Sequence, residues 1–216
     1  RPRARRSQPR LRWGEWLSGH LQVAGALGAR LTGTLAVIHG AGSVRGITQA
    51  DFDSVNVDGA MRVAQAAARQ IQAPRFLLIS SLAARSPQLS HYAGSKWRGE
   101  CALKKVAADL PWTIFRPPAV YGPGDREMLP LFRGIEKGFA LLPAGAGRRL
   151  SLIYVDDLAS AVARWLETTA ADGQTLELDD GCIGGYDWDS ILETAGSVLR
   201  NNKRVNRLAI PMTMLK

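Results

Sequence analysis

Residues 76–96 read FLLISSLAARSPQLSHYAGSK, and this stretch decides the fold of the 216-residue chain. An apolar run that ends in Ser80 and Ser81 predicts a buried strand over 75–81. The residues beyond the next turn predict a helix over 91–108, so a strand is joined to a helix by a short polar segment. That order is the repeating unit of a parallel sheet covered by helices.

The same order recurs along the chain from residue 34 onward. Predicted strands lie at 35–39, 75–81, 112–115, 151–155 and 176–178, and predicted helices at 52–69, 91–108, from about 156, and at 188–199. Residues 116–125 are predicted to form a loop, because three prolines and two glycines disfavour regular pairing. The predicted fold class is therefore α/β, with parallel strands buried between two layers of helices.

In such a fold the ligand lies outside the carboxyl ends of the strands, which here follow His39, Ser81 and Phe115. Close to one of these ends, Tyr92 and Lys96 share one face of the predicted helix. A free phenol has a pKa near 10, and lowering it towards 7 takes about 3 units, or about 4 kcal/mol, which a nearby cation can largely supply. Lys96 can also reach a ribose hydroxyl of a bound nucleotide.

With that activation, Ser81 could hold a substrate oxygen while Tyr92 gives or takes its proton. The spacing of Tyr92 and Lys96 is a weak signal by itself, since a surface tyrosine beside a solvated lysine would show the same pattern. The position of the pair, directly after a strand that ends in two serines, favours the functional interpretation.

Six motifs now occur in a fixed order: VIHGAG (37–42), NVDG (56–59), FLLISSLAA (76–84), YAGSK (92–96), RPPAVYGPGD (116–125) and VDDLA (155–159). In this order they resemble the extended short-chain dehydrogenase/reductase superfamily, and within it the NAD-dependent epimerase/dehydratase family. The resemblance implies a Rossmann-type doubly wound parallel sheet with NAD or NADP as cofactor. It also implies a small C-terminal lobe on the substrate side.

The resemblance further implies a catalytic triad of Ser81, Tyr92 and Lys96, with Tyr92 as the acid/base and Ser80 as the competing serine. It implies that Asn56 supports Lys96 through water and that small residues let the backbone approach the dinucleotide. The implied cofactor-binding residues are Gly40, Ala41, Gly42, Asn56, Tyr92, Lys96, Pro117, Pro118, Ala119 and Val120. Expected substrate contacts include Tyr121, Asp125 and Arg126.

The sequence departs from the family pattern in one respect: no glycine-rich loop precedes residue 37. The segment Gly40–Gly46 resembles such a loop superficially, but no apolar helix follows it directly to receive a phosphate. Residues 17–21 resemble a later family segment, with His20 in place of an adenine-contacting aspartate, and Arg1–Arg10 could meet the 2′-phosphate of NADP. We therefore expect the first strand and helix to lie upstream of Arg1, in a longer protein.

These observations predict two lobes and an activity. Residues 1–122 and 151–171 form the truncated dinucleotide-binding domain, and residues 123–150 and 172–216 form the substrate-side lobe. The expected activity is NAD(P)-dependent oxidoreduction or epimerisation at a secondary alcohol or ketone, on a nucleotide-sugar or a hydrophobic carbonyl compound. The alternatives are a non-catalytic NAD(P)H-binding sensor or assembly subunit of the same fold, and an inactive fragment. A homodimer is the implied assembly.

Composition excludes several other classes of protein. The net charge of +9 falls to +3 without the six arginines of residues 1–12, so the excess of basic residues is an end effect and not a nucleic-acid-binding face. The apolar runs are of strand length, which predicts no membrane span. Cys101 and Cys182 form no CxxC motif, and the three histidines have no metal-ligand spacing, so we expect no metal site and a cytoplasmic location.

Overall fold

The computed structural model describes residues 24–106, 110–143 and 149–210. Its helices are α1 (Ala24–Arg30), α2 (Gln49–Asn56), α3 (Asp58–Ala68), α4 (His91–Val106), α5 (Leu129–Lys137), α6 (Val155–Glu167) and α7 (Trp188–Arg200). Its strands are β1 (Ala36–His39), β2 (Arg75–Ile79), β3 (Trp112–Arg116), β4 (Ala119–Tyr121), β5 (Phe139–Pro143), β6 (Arg149–Leu150), β7 (Leu152–Tyr154), β8 (Gln174–Glu177), β9 (Tyr186–Asp187) and β10 (Asn206–Ile210). The predictions made for Arg1–Arg10 and His20 lie outside the described residues.

The main sheet has four parallel strands in the order β1-β2-β3-β8. Val37 pairs with Phe76, Leu77 with Thr113, and Ile114 with Thr175. Because parallel strands share one direction, the carboxyl ends of β1, β2 and β3 meet at one edge of the sheet. The predicted α/β class with a parallel sheet is confirmed.

Helices cover both faces of this sheet. On one face, Phe76 and Ile114 pack with Val63 of α3 and Leu103 of α4. On the other face, Leu77 and Phe115 pack with Trp165 of α6. Each large apolar side chain buried in this way contributes about 1.5–3 kcal/mol, so strands with apolar residues on both faces are stable only between two helical layers.

Three predicted elements differ from the structure. The expectation of a loop throughout residues 116–125 is wrong for β4, because both prolines of the Pro117–Pro118 pair precede it and leave its own N–H groups free to pair. The predicted strand near 151–155 does form, as β7, but it pairs with β4 outside the main sheet. The predicted helix 52–69 is two helices, since the chain bends at Val57 after α2.

Strands β5, β6, β9 and β10 and helices α5 and α7 form a cluster on the side of the carboxyl ends. Strands β5 and β10 pair in parallel, and β6 pairs with β9 in antiparallel. Helices α5 and α7 pack around a small core of Ile135, Ala140, Leu142 and Leu192. The range expected for the substrate-side lobe, 123–150 and 172–216, also holds β8, which belongs to the main sheet, and the division into two lobes stays a prediction. No helix in the described ranges is long and apolar enough to cross a membrane.

Candidate active site

A cavity of about 1180 Å³ lies at the edge of the sheet where β1, β2 and β3 end. It is lined by residues from the loops that follow these three strands and from the start of α4. The predicted site residues among them are Gly40, Gly42, Ser81, Tyr92, Lys96, Pro117, Pro118, Ala119, Val120 and Asp125. Segments far apart in the sequence thus meet around one space, as the strand-end geometry predicts.

Helix α4 presents both Tyr92 and Lys96 to this cavity. The Tyr92 ring is half-buried and packs edge-on against Phe52, with 6.3 Å between ring centroids. The Lys96 side chain is buried, and its Nζ donates a hydrogen bond to the backbone oxygen of Ile79 at 2.8 Å. Burial lowers the pKa of Lys96 to about 8, although the negative charge of Glu100 opposes this shift. The site therefore contains an ammonium group that has lost much of its hydration.

Asn56 joins the loop after β1 to helix α4. Its side-chain oxygen accepts a hydrogen bond from the Ser43 N–H at 2.8 Å, and its amide donates to the Ser43 carbonyl at 3.0 Å and to Ser95 Oγ at 2.8 Å. Ser95 Oγ in turn donates to the Tyr92 carbonyl at 2.7 Å. The direct partners of Asn56 are thus Ser43 and Ser95, and its support of Lys96 through water stays a prediction.

Gly42 lies directly in front of Lys96. A β-carbon built on this glycine would be 3.3 Å from Asn56 Oδ1 and 3.7 Å from Lys96 Nζ. A larger side chain would therefore occupy the space next to the ammonium group. This open position fits the close approach of a dinucleotide to the backbone.

Ser80 and Ser81 both line the cavity but have different partners. Ser80 is buried, and its Oγ lies 2.5 Å from Glu100 Oε1. Ser81 is half-buried, and its Oγ accepts a hydrogen bond from the Ala83 N–H at 3.2 Å, at the start of the short 3-10 helix Leu82–Arg85. The Ser81 hydroxyl can still donate its hydrogen to a bound oxygen, whereas the Ser80 hydroxyl already donates its hydrogen to the Glu100 carboxylate.

A buried ion pair behind the site was missed by sequence reasoning. Arg116 Nη2 lies 2.6 Å from Glu100 Oε2, and Arg116 Nε lies 3.0 Å from Glu100 Oε1. The hydrogen bonds to Glu100 raise the pKa of Arg116. The signal available in the sequence was the position of Glu100, one helical turn after Lys96 and thus on the same face as the Tyr92–Lys96 pair.

His39 closes β1 beside this network. It is buried, stacks on the Phe76 ring with 6.3 Å between centroids, and its Nε2 has no hydrogen-bond partner among the described residues. Burial, with a smaller contribution from the charge of Lys96, lowers the pKa of His39 to about 4. The described part of the chain holds no cluster of three or more His, Cys, Asp or Glu side chains that could bind a metal.

Four predicted site residues do not line the first cavity, and one of them is Asn56, whose partners are Ser43 and Ser95. Ala41 and Arg126 are exposed and do not line it. Tyr121 lines a second cavity of about 490 Å³ between α5 and α7. Asp125 and Met128 line both cavities, so the two spaces share a wall.

Comparison with other proteins identifies relatives of this chain. The sequence is 39% identical over 197 residues to a ceramide reductase of Caulobacter vibrioides (strain NA1000 / CB15N), a match that covers 91% of this chain and 60% of the relative. The chain thus spans about three-fifths of the length of that relative.

Two solved structures have the same fold. One is dTDP-4-dehydrorhamnose reductase from Bacillus anthracis str. Ames in complex with NADP, with a TM-score of 0.72, 19% identity, and 90% of this chain and 73% of that chain covered. The other is UDP-glucuronic acid 4-epimerase from Bacillus cereus in complex with NAD, with a TM-score of 0.68, 19% identity, and coverage of 86% and 66%.

The model of the NAD dependent epimerase/dehydratase family matches residues 31–178, which include the main sheet and all the residues around the first cavity up to Ser151. This match agrees with the resemblance carried by the six sequence motifs. The chain therefore belongs to the NAD-dependent epimerase/dehydratase family.

Proposed function

We propose that the protein transfers a hydride between NAD or NADP and a secondary alcohol or its ketone, with Tyr92 as the acid/base. The observation that carries this proposal is the convergence of Ser81, Tyr92 and Lys96 on one cavity at the strand ends. The open position at Gly42 next to Lys96 fits a nicotinamide cofactor. When bound, that cofactor would supply or accept the hydride.

Lys96 holds the cofactor and activates the tyrosine. Its Nζ carries three hydrogens, of which one is used on the Ile79 carbonyl, so two remain for ribose hydroxyls or for the phenol of Tyr92. With a pKa of about 8, the ammonium form outnumbers the neutral form about tenfold at pH 7. Its positive charge is thus available to the cofactor ribose and to the negative charge that develops on oxygen as the proton moves.

Tyr92 and Ser81 act on the substrate oxygen. In reduction, the carbonyl carbon gains the hydride while the carbonyl oxygen takes the proton of the Tyr92 phenol. In oxidation, the phenolate removes the hydroxyl proton as the hydride leaves the carbon. Ser81 donates a hydrogen bond to the same oxygen, and such a donor stabilises the negative charge that develops there.

The relative with 39% identity favours a hydrophobic carbonyl compound as the substrate, because that relative is a ceramide reductase. The solved neighbours named for nucleotide sugars are 19% identical and support only the fold. We therefore propose a hydrophobic ketone or alcohol in preference to a nucleotide-sugar.

The test of this proposal is Tyr92→Phe, with Tyr154→Phe as the matched control. Tyr154 lies on β7 and lines neither cavity. Removing the Tyr92 hydroxyl should lower kcat by about 10²–10⁴-fold, the usual effect of losing a general acid, and change the Kd of the cofactor far less. The control should keep near wild-type turnover. Near wild-type turnover in Tyr92→Phe would contradict the acid/base role of Tyr92, whereas cofactor binding without any turnover in the wild type would favour the non-catalytic binding role.

We also propose a cytoplasmic homodimer in which the helices that carry Asn56 and Tyr92 face a second copy. Exposed apolar side chains support this surface, namely Trp97 on α4 and Ile47 and Leu89 in the segments that precede α2 and α4. Light scattering coupled to size exclusion tests the dimer, and Trp97→Glu should shift the mass to that of a monomer. A mass that is monomeric in the wild type would contradict it.

A further inference from the structure

The second cavity, of about 490 Å³, has a wall that is mostly apolar. Helix α5 contributes Leu129 and Phe132, and helix α7 contributes Ile191, Ala195, Val198 and Leu199. Val198 is 75% exposed, and Leu129 and Leu199 are also exposed, so apolar side chains extend to the opening. Apolar surface concentrated around a concave space is typical of a binding site for an apolar molecule.

This cavity adjoins the space that contains Tyr92. Asp125 and Met128 line both cavities, and Tyr121 directly follows Val120, which lines the first. A molecule whose carbonyl lies near Tyr92 can therefore continue past Met128 into the space between α5 and α7. The two cavities then act as one site with a polar reacting end and an apolar end.

The two carboxylates at the wall of the second cavity already accept hydrogen bonds within the protein. The carboxylate of Asp125 accepts hydrogen bonds from the N–H groups of Glu127 and Met128, each at 2.9 Å. Asp180 Oδ2 accepts a hydrogen bond from the Tyr186 hydroxyl at 2.6 Å. Both carboxylates thus have partners without a ligand, so an apolar occupant leaves neither of them unpaired.

The charge of this wall disfavours a nucleotide diphosphate. The described residues that line the cavity include the carboxylates of Asp125 and Asp180 but no lysine or arginine. A diphosphate would meet two negative charges and no cation in a partly desolvated space, which is strongly unfavourable.

We infer that the cavity between α5 and α7 binds the alkyl chain of the substrate, so that the protein acts on a ketone or secondary alcohol attached to a long hydrocarbon chain. This inference rests on the proposed function, since it takes the reacting carbonyl to lie at Tyr92. Each methylene that enters the cavity should increase affinity about fourfold, the usual effect of burying such a group. The increase should stop at the chain length that fills the cavity.

The experiment uses 2-alkanones from 2-pentanone to 2-decanone as probes. Binding is measured by calorimetry, and reduction is measured as kcat/KM with NADH and NADPH. The variant Thr194→Trp places a large ring on the α7 wall of the cavity, whereas the control Glu193→Trp places the same ring at the neighbouring position, outside the cavity. Both wild-type side chains are exposed, so neither change disturbs a buried contact.

In the wild type and in Glu193→Trp, affinity and kcat/KM should rise with chain length, and Thr194→Trp should remove most of this dependence. Tyr92-dependent reduction of ketones without any effect of chain length would overturn the inference and leave the proposed function intact. Chain-length-dependent binding that Thr194→Trp abolishes, without turnover in any form, would support the cavity inference and refute the proposed function. Absence of binding at every chain length would overturn the inference.

Discussion

At the scale of single residues, the buried position of Lys96 lowers the free energy of unfolding. Its pKa is about 8 in the folded protein, well below the ordinary value of 10.5, chiefly because it is buried. Between about pH 8 and 10.5 the unfolded chain therefore binds more protons than the folded chain, so the free energy of unfolding rises with pH across this window. Below pH 8 the full penalty is present, and it is of the order of 3 kcal/mol.

Lys96→Met should therefore stabilise the protein at pH 7 by about 1–3 kcal/mol while it abolishes activity. The gain is smaller than the full penalty because the hydrogen bond to the Ile79 carbonyl is lost. Urea unfolding at pH 7 and at pH 9.5, followed by circular dichroism, measures both the gain and its decline with pH. A variant less stable than the wild type at pH 7 would show that Lys96 is not desolvated.

His39 should make the protein sensitive to acid. Its pKa is about 4 in the folded state against 6.5 in a free histidine, because it is buried and lies near the charge of Lys96. As the pH falls from 6.5 to 4, the unfolded chain takes up a proton that the folded chain excludes, so the free energy of unfolding falls. Above pH 6.5 this loss is absent.

The variant His39→Leu removes this titration. Between pH 7.5 and 4.5, the wild type should lose about 2–3 kcal/mol more of its free energy of unfolding than the variant does. The carboxylates titrate equally in both proteins. The difference between the two losses therefore measures the contribution of His39 alone. Equal losses in the two proteins would show that the pKa of His39 is no lower in the folded protein than in the unfolded chain.

At the scale of elements, the position of the site depends on how closely α4 packs against α2. A β-carbon on Gly99 of α4 would overlap the backbone oxygen of Asn56, the last residue of α2. Only glycine permits this approach, and the approach brings the Asn56 amide within 2.8 Å of Ser95 Oγ.

Gly99→Ala should therefore destabilise the protein by about 1–3 kcal/mol through overpacking. The control is Gly28→Ala in α1, where a new β-carbon meets no atom of the described residues within 4 Å. This control should be neutral or more stable by about 0.5–1 kcal/mol, because alanine restricts the unfolded chain and favours a helix. Thermal unfolding of the two variants gives the comparison, and equal midpoints would refute close packing at Gly99.

The sequence predicts some elements much better than others, for physical reasons. β2 and β3 are largely apolar runs between turn residues, and α4 is a segment of 16 residues without proline, so local pattern suffices for them. β4 is only three residues long and follows two prolines, so its pairing with β7 is decided by tertiary contact. The pairing of β5 with β10 joins distant segments, which a local pattern does not reveal.

At the scale of the whole molecule, the same contrast holds for the site. Gly42, Ser81, Tyr92 and Lys96 could be predicted to meet because parallel strands bring their carboxyl ends to one edge. The Glu100–Arg116 ion pair and the apolar cavity between α5 and α7 could not, because they depend on which side chains face each other after the helices pack. The spacing of residues in the sequence therefore predicts which residues form the reacting end of the site, but not which residues surround it.

The most direct test of the central claim is a fluorescence titration of the protein with NADH and with NADPH. It is carried out on this chain and on a form extended at its amino end to include a glycine-rich loop. In both forms the wild type is compared with the variant Gly42→Val. The side chain of that variant would fill the space in front of Lys96, whereas Gly28→Val in α1 serves as the control far from the cavity.

We expect saturable binding of at least one nucleotide, strongest in the extended form, and a loss of at least about tenfold in Gly42→Val, equivalent to about 1.4 kcal/mol, but none in Gly28→Val. The preferred nucleotide would also show whether the cofactor is NAD or NADP. If neither form binds either nucleotide, the cavity is not a cofactor site, and the arrangement of Ser81, Tyr92 and Lys96 serves no hydride transfer.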